Sequence, residues 1–117
     1  MPIEPKNLAL QVCSILKEKK ALDVEILDVH NLTTLTDYFV VASGSSESQV
    51  NAIYEELEHK LSEKGITALH KDGAGSSRWI VLDYGCVIVH IFHKKEREFY
   101  NFERLWADAE LIAIDNI

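Results

Sequence analysis

A glycine-serine turn is the first feature of this chain that could do chemistry. Gly44-Ser45 follows an apolar run and is the kind of turn that opens a nucleotidyltransferase site. Such a site also needs two or three carboxylates on a neighbouring strand, which hold Mg²⁺ and align the phosphates. The acids that follow, Glu55, Glu56 and Glu58, fall within a predicted helix, and the second half of the chain has no Asp-x-Asp pair. The turn could bind an anion at a helix start, but a helix cap is the favoured interpretation.

The histidines and cysteines also lack the partners that a catalytic or metal site needs. His90 and His93 are three residues apart in or just after a predicted strand, so their rings point in opposite directions and are poor joint ligands. His90 has apolar neighbours, and a partly buried, hydrogen-bonded structural role is favoured over a catalytic one. Cys13 and Cys86 form no CxxC pair and are interpreted as reduced thiols. We therefore predict no enzymatic activity, no metal and no cofactor.

A predicted β-hairpin carries the most distinctive side chains. Two strands, Trp79–Leu82 and Val87–Phe92, flank a turn, and a two-residue turn at Tyr84-Gly85 would place Trp79 opposite His90. Alternation then gives two faces. The aliphatic face carries Ile80, Leu82, Val87, Val89 and Ile91 and is the better core candidate. The mixed face carries Trp79, Val81, Asp83, Ile88, His90 and Phe92. It has the composition of an interface with aromatic anchors. The alternative is that the last helix covers it with Phe99, Phe102 and Trp106, and both hold if the helix covers only part of the face.

Composition limits the range of partners. The chain has 117 residues, 47% hydrophobic and 26% charged, which is typical of one globular domain spanning residues 1–117. It shows no signal peptide and no apolar run of about 20 residues, so we expect a cytoplasmic protein that does not enter a membrane. Its net charge of −7 favours a basic protein partner over direct recognition of nucleic acid.

The hydrophobic pattern predicts helices and strands in mixed order. Helical spacing indicates an amphipathic helix over residues 5–20, and a capping box at Ser46 and Gln49 begins a second helix that Gly65 ends. Strands are predicted at 22–26, 38–42, 66–69 and in the hairpin, followed by a helix at 95–106 and a tail at 107–117. The central strand–helix–strand unit suggests parallel pairing there. The fold class is therefore mixed α/β, with about five strands and helices packed on the sheet.

Two segments carry a resemblance to a known family. RWIVLDYGCVIVHIFHKKEREFYNFERLW at residues 78–106 and DYFVVASGSS at residues 37–46 resemble the Iojap family, the ribosome silencing factors RsfS. The resemblance runs from about Asp23 to Trp106. It implies an α/β fold related to nucleotidyltransferases. It also implies a non-enzymatic regulator that binds ribosomal protein fourteen of the large subunit, blocks joining of the small subunit, and lowers translation when nutrients are scarce.

The resemblance also assigns roles to single residues. It implies a partner-binding role for Trp79, Asp83 and Tyr84, whereas Asp37, Gly44, Gly85 and His90 match the family pattern and are assigned to the fold. The loop at residues 71–77 departs from the Glu-Gly that relatives often have. Two alternatives stay open: a nucleotidyltransferase or nucleotide-binding module, and a homodimer that buries the mixed face against a second copy when free.

Overall fold

A central sheet of six strands organises the computed structural model, which describes residues 4–73, 75–101, 104 and 106–112. The strand order across the sheet is β3-β4-β5-β2-β1-β6. In chain order the elements are α1 Pro5–Glu18, β1 Leu22–Asp28, β2 Tyr38–Gly44, α2 Glu47–Glu63, β3 His70–Asp72, β4 Trp79–Asp83, β5 Val87–His93, α3 Lys94–Tyr100 and β6 Glu110–Ile112. The mixed α/β class is confirmed, with one strand more than expected, because β6 forms within the segment predicted as a tail.

The parallel pair of the sheet joins strands that are far apart in the chain. β2 pairs in parallel with β5, from Tyr38 opposite Val87 to Gly44 opposite His93, and the other pairings are antiparallel. The expectation that β2 would pair with the strand following α2 was wrong. That strand, placed at 66–69 by the sequence, lies at His70–Asp72 and forms an edge of the sheet beside β4. The crossover from β2 therefore includes α2, β3 and β4.

Helices α1 and α2 cover the aliphatic face of the sheet. Each helix buries one apolar stripe, as its spacing predicted. The core between these helices and the sheet includes Leu8, Val12, Leu16, Val50, Ile53, Leu57 and Leu61 from the helices, with Ile80, Leu82, Val87, Val89 and Ile91 from the hairpin. The prediction that the aliphatic face forms the core is confirmed.

The ends of both helices follow from local sequence. The Ser46 hydroxyl accepts a hydrogen bond from the Gln49 amide at 3.1 Å, which confirms the predicted N-terminal cap of α2. Gly65, at φ +79°, ends α2, and the Ile66 amide donates to the Leu61 carbonyl at 2.9 Å. This is a Schellman motif. The same motif ends α1, but Lys20 occupies the left-handed position at φ +59°, where a glycine would be unstrained.

The hairpin register differs from the predicted one by two residues. Trp79 pairs with Phe92 and Val81 with His90, because the turn residues are Gly85 and Cys86 and the Tyr84 amide donates to the Val87 carbonyl at 2.9 Å. Gly85 has φ +87°, which suits the first central position of a type II′ turn. A shift of two residues keeps every side chain on its predicted face, because strands alternate with period two.

Residues after β5 cover part of the mixed face. Helix α3 ends at Tyr100, where Asn101 adopts φ +50°, rather than continuing to residue 106 as predicted. Phe99 is 79% exposed, so it does not take part in covering this face, a point that the sequence had left open. Trp106 does pack there, with its ring 4.9 Å from that of Phe39. Phe102 lies outside the described residues.

Candidate partner surface

Trp79 is the aromatic residue at the centre of the predicted partner site. It lies on β4, is partly buried, and stacks on Phe92 with ring centroids 4.7 Å apart and 28° between the planes. Its indole Nε1 donates to Nδ1 of His90 at 3.1 Å. The Tyr100 ring lies 5.1 Å away. The indole is therefore packed on the sheet on one side and reaches solvent on another.

His90 lies beneath this indole in an aromatic environment. Its side chain is 7% exposed, and Phe39 contacts it edge-on at 5.0 Å. Burial lowers the pKa of His90 to about 4, so the imidazole is neutral at pH 7. The predicted hydrogen bond is present, and the ring is more deeply buried than the partial burial that was predicted. The assignment of His90 to the fold stays a prediction.

Asp83, the last residue of β4, stabilises the hairpin turn at Gly85-Cys86. The carboxylate Oδ1 of Asp83 accepts a hydrogen bond from the Gly85 amide at 2.7 Å. This is an Asx turn, which stabilises the reversal of the chain. The turn position predicted for Gly85 is confirmed by its positive φ. Asp83 thus has a role in the fold, and its contact with a partner stays a prediction.

Tyr84 lies on the opposite side of the sheet from Trp79. Its side chain is 9% exposed and packs in the core with the helices, and its buried hydroxyl has no hydrogen-bond partner among the described residues. Burial, with a smaller effect of the nearby Glu58 charge, raises the pKa of Tyr84 to about 12. Trp79, Asp83 and Tyr84 therefore do not form one patch. The predicted contact role of Tyr84 is not supported by this burial.

Gly44 is the last residue of β2, and Asp37 directly precedes the first. A Cβ added to Gly44 would lie 2.8 Å from Cγ2 and 2.9 Å from the amide nitrogen of Val50, so only glycine permits α2 to start so close to the strand. At the other end, the Asp37 amide donates to the Cys86 carbonyl at 3.2 Å, and its carbonyl accepts from the Val29 amide at 2.9 Å. Asp37 therefore joins β2 to the turns on either side.

The turn after Gly44 is occupied by its own hydrogen bonds. The Ser45 amide and hydroxyl both donate to Oε1 of Gln49. Near this turn a cavity of about 380 Å³ is lined by Asp23, Ser43, Lys94, Arg97, Glu98 and Asn101. Among the described residues, no group of three or more His, Cys, Asp or Glu is placed to hold a metal ion.

Arg97 is a buried charge that the sequence analysis did not single out. Its guanidinium donates to the Asp23 carbonyl at 2.8 Å and to the Ser43 hydroxyl at 2.9 Å. Asp23 has φ +48° at the irregularity in β1, which turns its carbonyl toward the arginine. Arg97 thereby fixes α3 against β1 and β2. Its guanidinium also lies 3.8 Å from a carboxylate oxygen of Glu25. No sequence signal distinguished Arg97 from the charges around it, because these three partners are distant from it in the chain.

Two exposed aromatic residues extend the surface beside Trp79. Tyr100 is 47% exposed, and the Phe99 ring meets it edge-on at 5.0 Å. We call Trp79, Phe99 and Tyr100 the aromatic patch. The sequence did not distinguish Tyr100, and it left open whether Phe99 covers the mixed face. The predicted stripe of Phe99, Phe102 and Trp106 assumed one helix to residue 106, whereas α3 ends at Tyr100.

Comparison with known proteins identifies the family. The family model described as "Ribosomal silencing factor during starvation", RsfS, matches residues 2–117. The chain belongs to the RsfS family. Ribosomal silencing factor RsfS of Bacillus subtilis is 41% identical over 98 residues, covering 84% of this chain and 83% of that protein. The chloroplastic protein Iojap of Zea mays is 30% identical over 108 residues, covering 92% of this chain and 47% of that protein.

Solved structures show the same fold as this RsfS-family chain. A crystal structure of a protein from Chromobacterium violaceum has a TM-score of 0.86 and 31% identity, covering 90% of this chain and 88% of that one. A second, from Bacillus halodurans, has a TM-score of 0.81 and 35% identity, covering 94% and 99%. The resemblance to the ribosome silencing factors is confirmed. No helix in the described part of the chain is long and apolar enough to span a membrane.

Proposed function

We propose that this chain is a non-enzymatic silencing factor that docks on the large ribosomal subunit through ribosomal protein fourteen. Occupying the face that meets the small subunit would block joining by steric exclusion and lower translation when nutrients are scarce. Membership of the RsfS family supports the ribosome as the partner. The aromatic patch is the structural observation that carries the docking step.

The aromatic patch has the properties of a binding anchor. Trp79 is backed by Phe92 and by the hydrogen bond to His90, so its ring loses little freedom on binding. Phe99 and Tyr100 add exposed ring area beside it. Tryptophan and tyrosine are enriched among the few residues that carry most interface energy. The patch therefore offers a rigid apolar centre for a partner surface.

The charge of the chain suits a basic partner. The net charge is −7, and ribosomal proteins are commonly basic. Attraction between exposed charges is screened beyond roughly 10 Å at 0.1 M salt. Binding to the large subunit should therefore weaken as salt rises. If the affinity is the same in low and high salt, attraction between charges does not contribute to recognition of the large subunit.

The test uses substitutions at the two exposed rings. Phe99→Ser and Tyr100→Ser should each weaken binding to purified large subunits by about tenfold, as truncation of an interface anchor does. Thermal unfolding should stay close to that of the unchanged protein, because neither ring is buried. Leu35→Ser is the matched control, since Leu35 is a 62% exposed apolar residue in the loop between β1 and β2.

Binding is measured by co-sedimentation and joining by the proportion of 70S particles in a gradient. If the unchanged protein neither binds large subunits nor reduces joining, the proposed function is wrong. If it does both, and the double variant Phe99→Ser/Tyr100→Ser is equally active, the aromatic patch is not the docking surface. Trp79→Ala is a less clean test, because it removes the donor to buried His90 and the stacking on Phe92 as well.

A further inference from the structure

A buried acceptor helps to set the orientation of the Trp79 ring. Trp79 pairs with Phe92 across the hairpin, which places His90 diagonally opposite on the same face. The indole Nε1 lies 3.1 Å from Nδ1 of His90, and the two ring planes are tilted by 43°. Stacking on Phe92 limits the tilt of the indole, and the hydrogen bond limits its rotation within the plane. Together they define one ring position.

The hydrogen bond requires one state of the imidazole. An indole nitrogen can only donate, so Nδ1 of His90 must carry no proton and Nε2 must carry it. A protonated imidazole has two donors and no acceptor, and it could not hold the indole in this way. The surrounding rings of Phe39, Trp79 and Phe92 disfavour the charged form. The aromatic setting of His90 therefore favours the neutral imidazole, and the hydrogen bond from the indole favours the tautomer that has its acceptor at Nδ1.

We propose that His90 is the positioning residue of the docking surface, acting through its Nδ1 acceptor to fix the Trp79 indole in the binding-competent orientation. This inference rests on the proposed function, because it requires Trp79 to contact the partner. It gives His90 a role in affinity as well as in the fold. A fixed ring has already lost rotational freedom before the partner arrives, whereas a free ring loses it on binding.

Two substitutions at His90 separate the acceptor from the ring. His90→Phe keeps an aromatic ring in the site but has no acceptor. His90→Asn keeps an acceptor, because the Asn Oδ1 occupies about the position of the imidazole Nδ1. His90→Phe should weaken binding to large subunits by about three- to tenfold, the effect of freeing one side chain. His90→Asn should bind more tightly than His90→Phe even if it is the less stable of the two.

Nuclear magnetic resonance supplies a measurement that a purely structural role would not change. The indole N–H resonance of Trp79, assigned by its loss in Trp79→Phe, should shift in His90→Phe and return toward its original position in His90→Asn. In the unchanged protein, long-range correlations from the imidazole protons should show Nδ1 unprotonated at pH 7. Finding the proton on Nδ1 would overturn the proposal without any variant, including the case in which His90→Phe does not fold.

The outcomes distinguish this proposal from the proposed function. Positioning does not affect docking if His90→Phe and His90→Asn both bind large subunits as tightly as the unchanged protein while the indole resonance is shifted only in His90→Phe. If Trp79→Phe, Phe99→Ser and Tyr100→Ser all bind large subunits as tightly as the unchanged protein, the aromatic patch is not the docking surface. The indole resonance would still report the hydrogen bond in that case, so each failure has its own signature.

Discussion

Burial of His90 should make the stability of this protein depend on pH in a defined window. The pKa of His90 falls from about 6.5 to about 4 on folding, because the aromatic face desolvates the imidazole. Between these two values the unfolded chain binds about one proton more than the folded chain, so the free energy of unfolding rises with pH. Stability from this residue is complete above pH 6.5 and is lost as the pH falls through the window.

The size of the effect follows from the two pKa values. One proton per pH unit corresponds to about 1.4 kcal/mol, so moving from pH 7 to pH 5 should cost about 2 kcal/mol of unfolding free energy. Urea unfolding followed by circular dichroism at pH 7, 6 and 5 measures this directly. The slope of free energy against denaturant should stay constant if folding remains two-state.

The His90→Asn variant is the control, because asparagine does not titrate. His30 has its pKa raised by Asp28, so its contribution is present below about 6.5 and is lost as the pH rises, the opposite sign. Glu18 and Asp28 have lowered pKa values, and their contributions are lost mainly below the window. All three are unchanged in His90→Asn. If both proteins lose the same stability between pH 7 and pH 5, His90 is not the buried neutral imidazole described above.

Three further substitutions test the packing, each by urea unfolding at pH 7. Lys20→Gly should raise the unfolding free energy by about 0.5–1 kcal/mol, because Lys20 has φ +59° at the end of α1. A decrease in unfolding free energy would show that the backbone of Lys20 is not strained. Gly73→Ala should lower the unfolding free energy by about 2–3 kcal/mol, because Gly73 has φ +79° and an added Cβ would lie 2.0 Å from the Trp79 carbonyl oxygen. An unchanged unfolding free energy would show that the loop moves freely enough to accept the Cβ. Tyr84→Phe should leave the unfolding free energy unchanged or raise it by about 1 kcal/mol, because it removes a buried hydroxyl that has no hydrogen-bond partner among the described residues. A large decrease in unfolding free energy would show that the hydroxyl does have a partner.

The sequence predicted most of the elements because their signals are local. The buried stripes of α1 and α2, the cap at Ser46 and the glycine at Gly65 each depend on residues within about one helical turn. The alternation of Trp79 and Ile80 along β4 likewise assigned the two faces of the hairpin correctly. The fold class followed from these elements and from the resemblance to the RsfS family.

The errors arose where distant contacts decide the outcome. The register of the hairpin depends on whether Tyr84-Gly85 or Gly85-Cys86 forms the turn. The hydrogen bond from the Gly85 amide to the Asp83 carboxylate stabilises the turn at Gly85-Cys86. The hydrophobic pattern of β2 does not identify its parallel partner, because each of the later strands could pair with it equally well. The end of α3 at Tyr100 was missed because aromatic residues continue at helical spacing beyond it.

The candidate site was predicted only in part. Trp79 was placed on the correct face, and the structure added Tyr100 and Phe99 beside it. Tyr84 was included through the resemblance, whereas alternation along the strand places it with Ile80 and Leu82 in the core. Strand periodicity, applied strictly to the sequence, is enough to separate Tyr84 from Trp79, because the two positions differ by an odd number of residues.

The pairing of β2 with β5 affects how the chain can fold. These two strands form the centre of the sheet, yet α2, β3 and β4 lie between them in the chain. The β4–β5 hairpin is local and can form early, whereas the central pairing must wait until α2 and the hairpin are both available. A growing chain that stops before residue 87 lacks β5 altogether, and the ladder between β2 and β5 is complete only when residue 93 has been added. During synthesis the apolar residues of β2 therefore remain without their final cover until nearly the whole domain has been made.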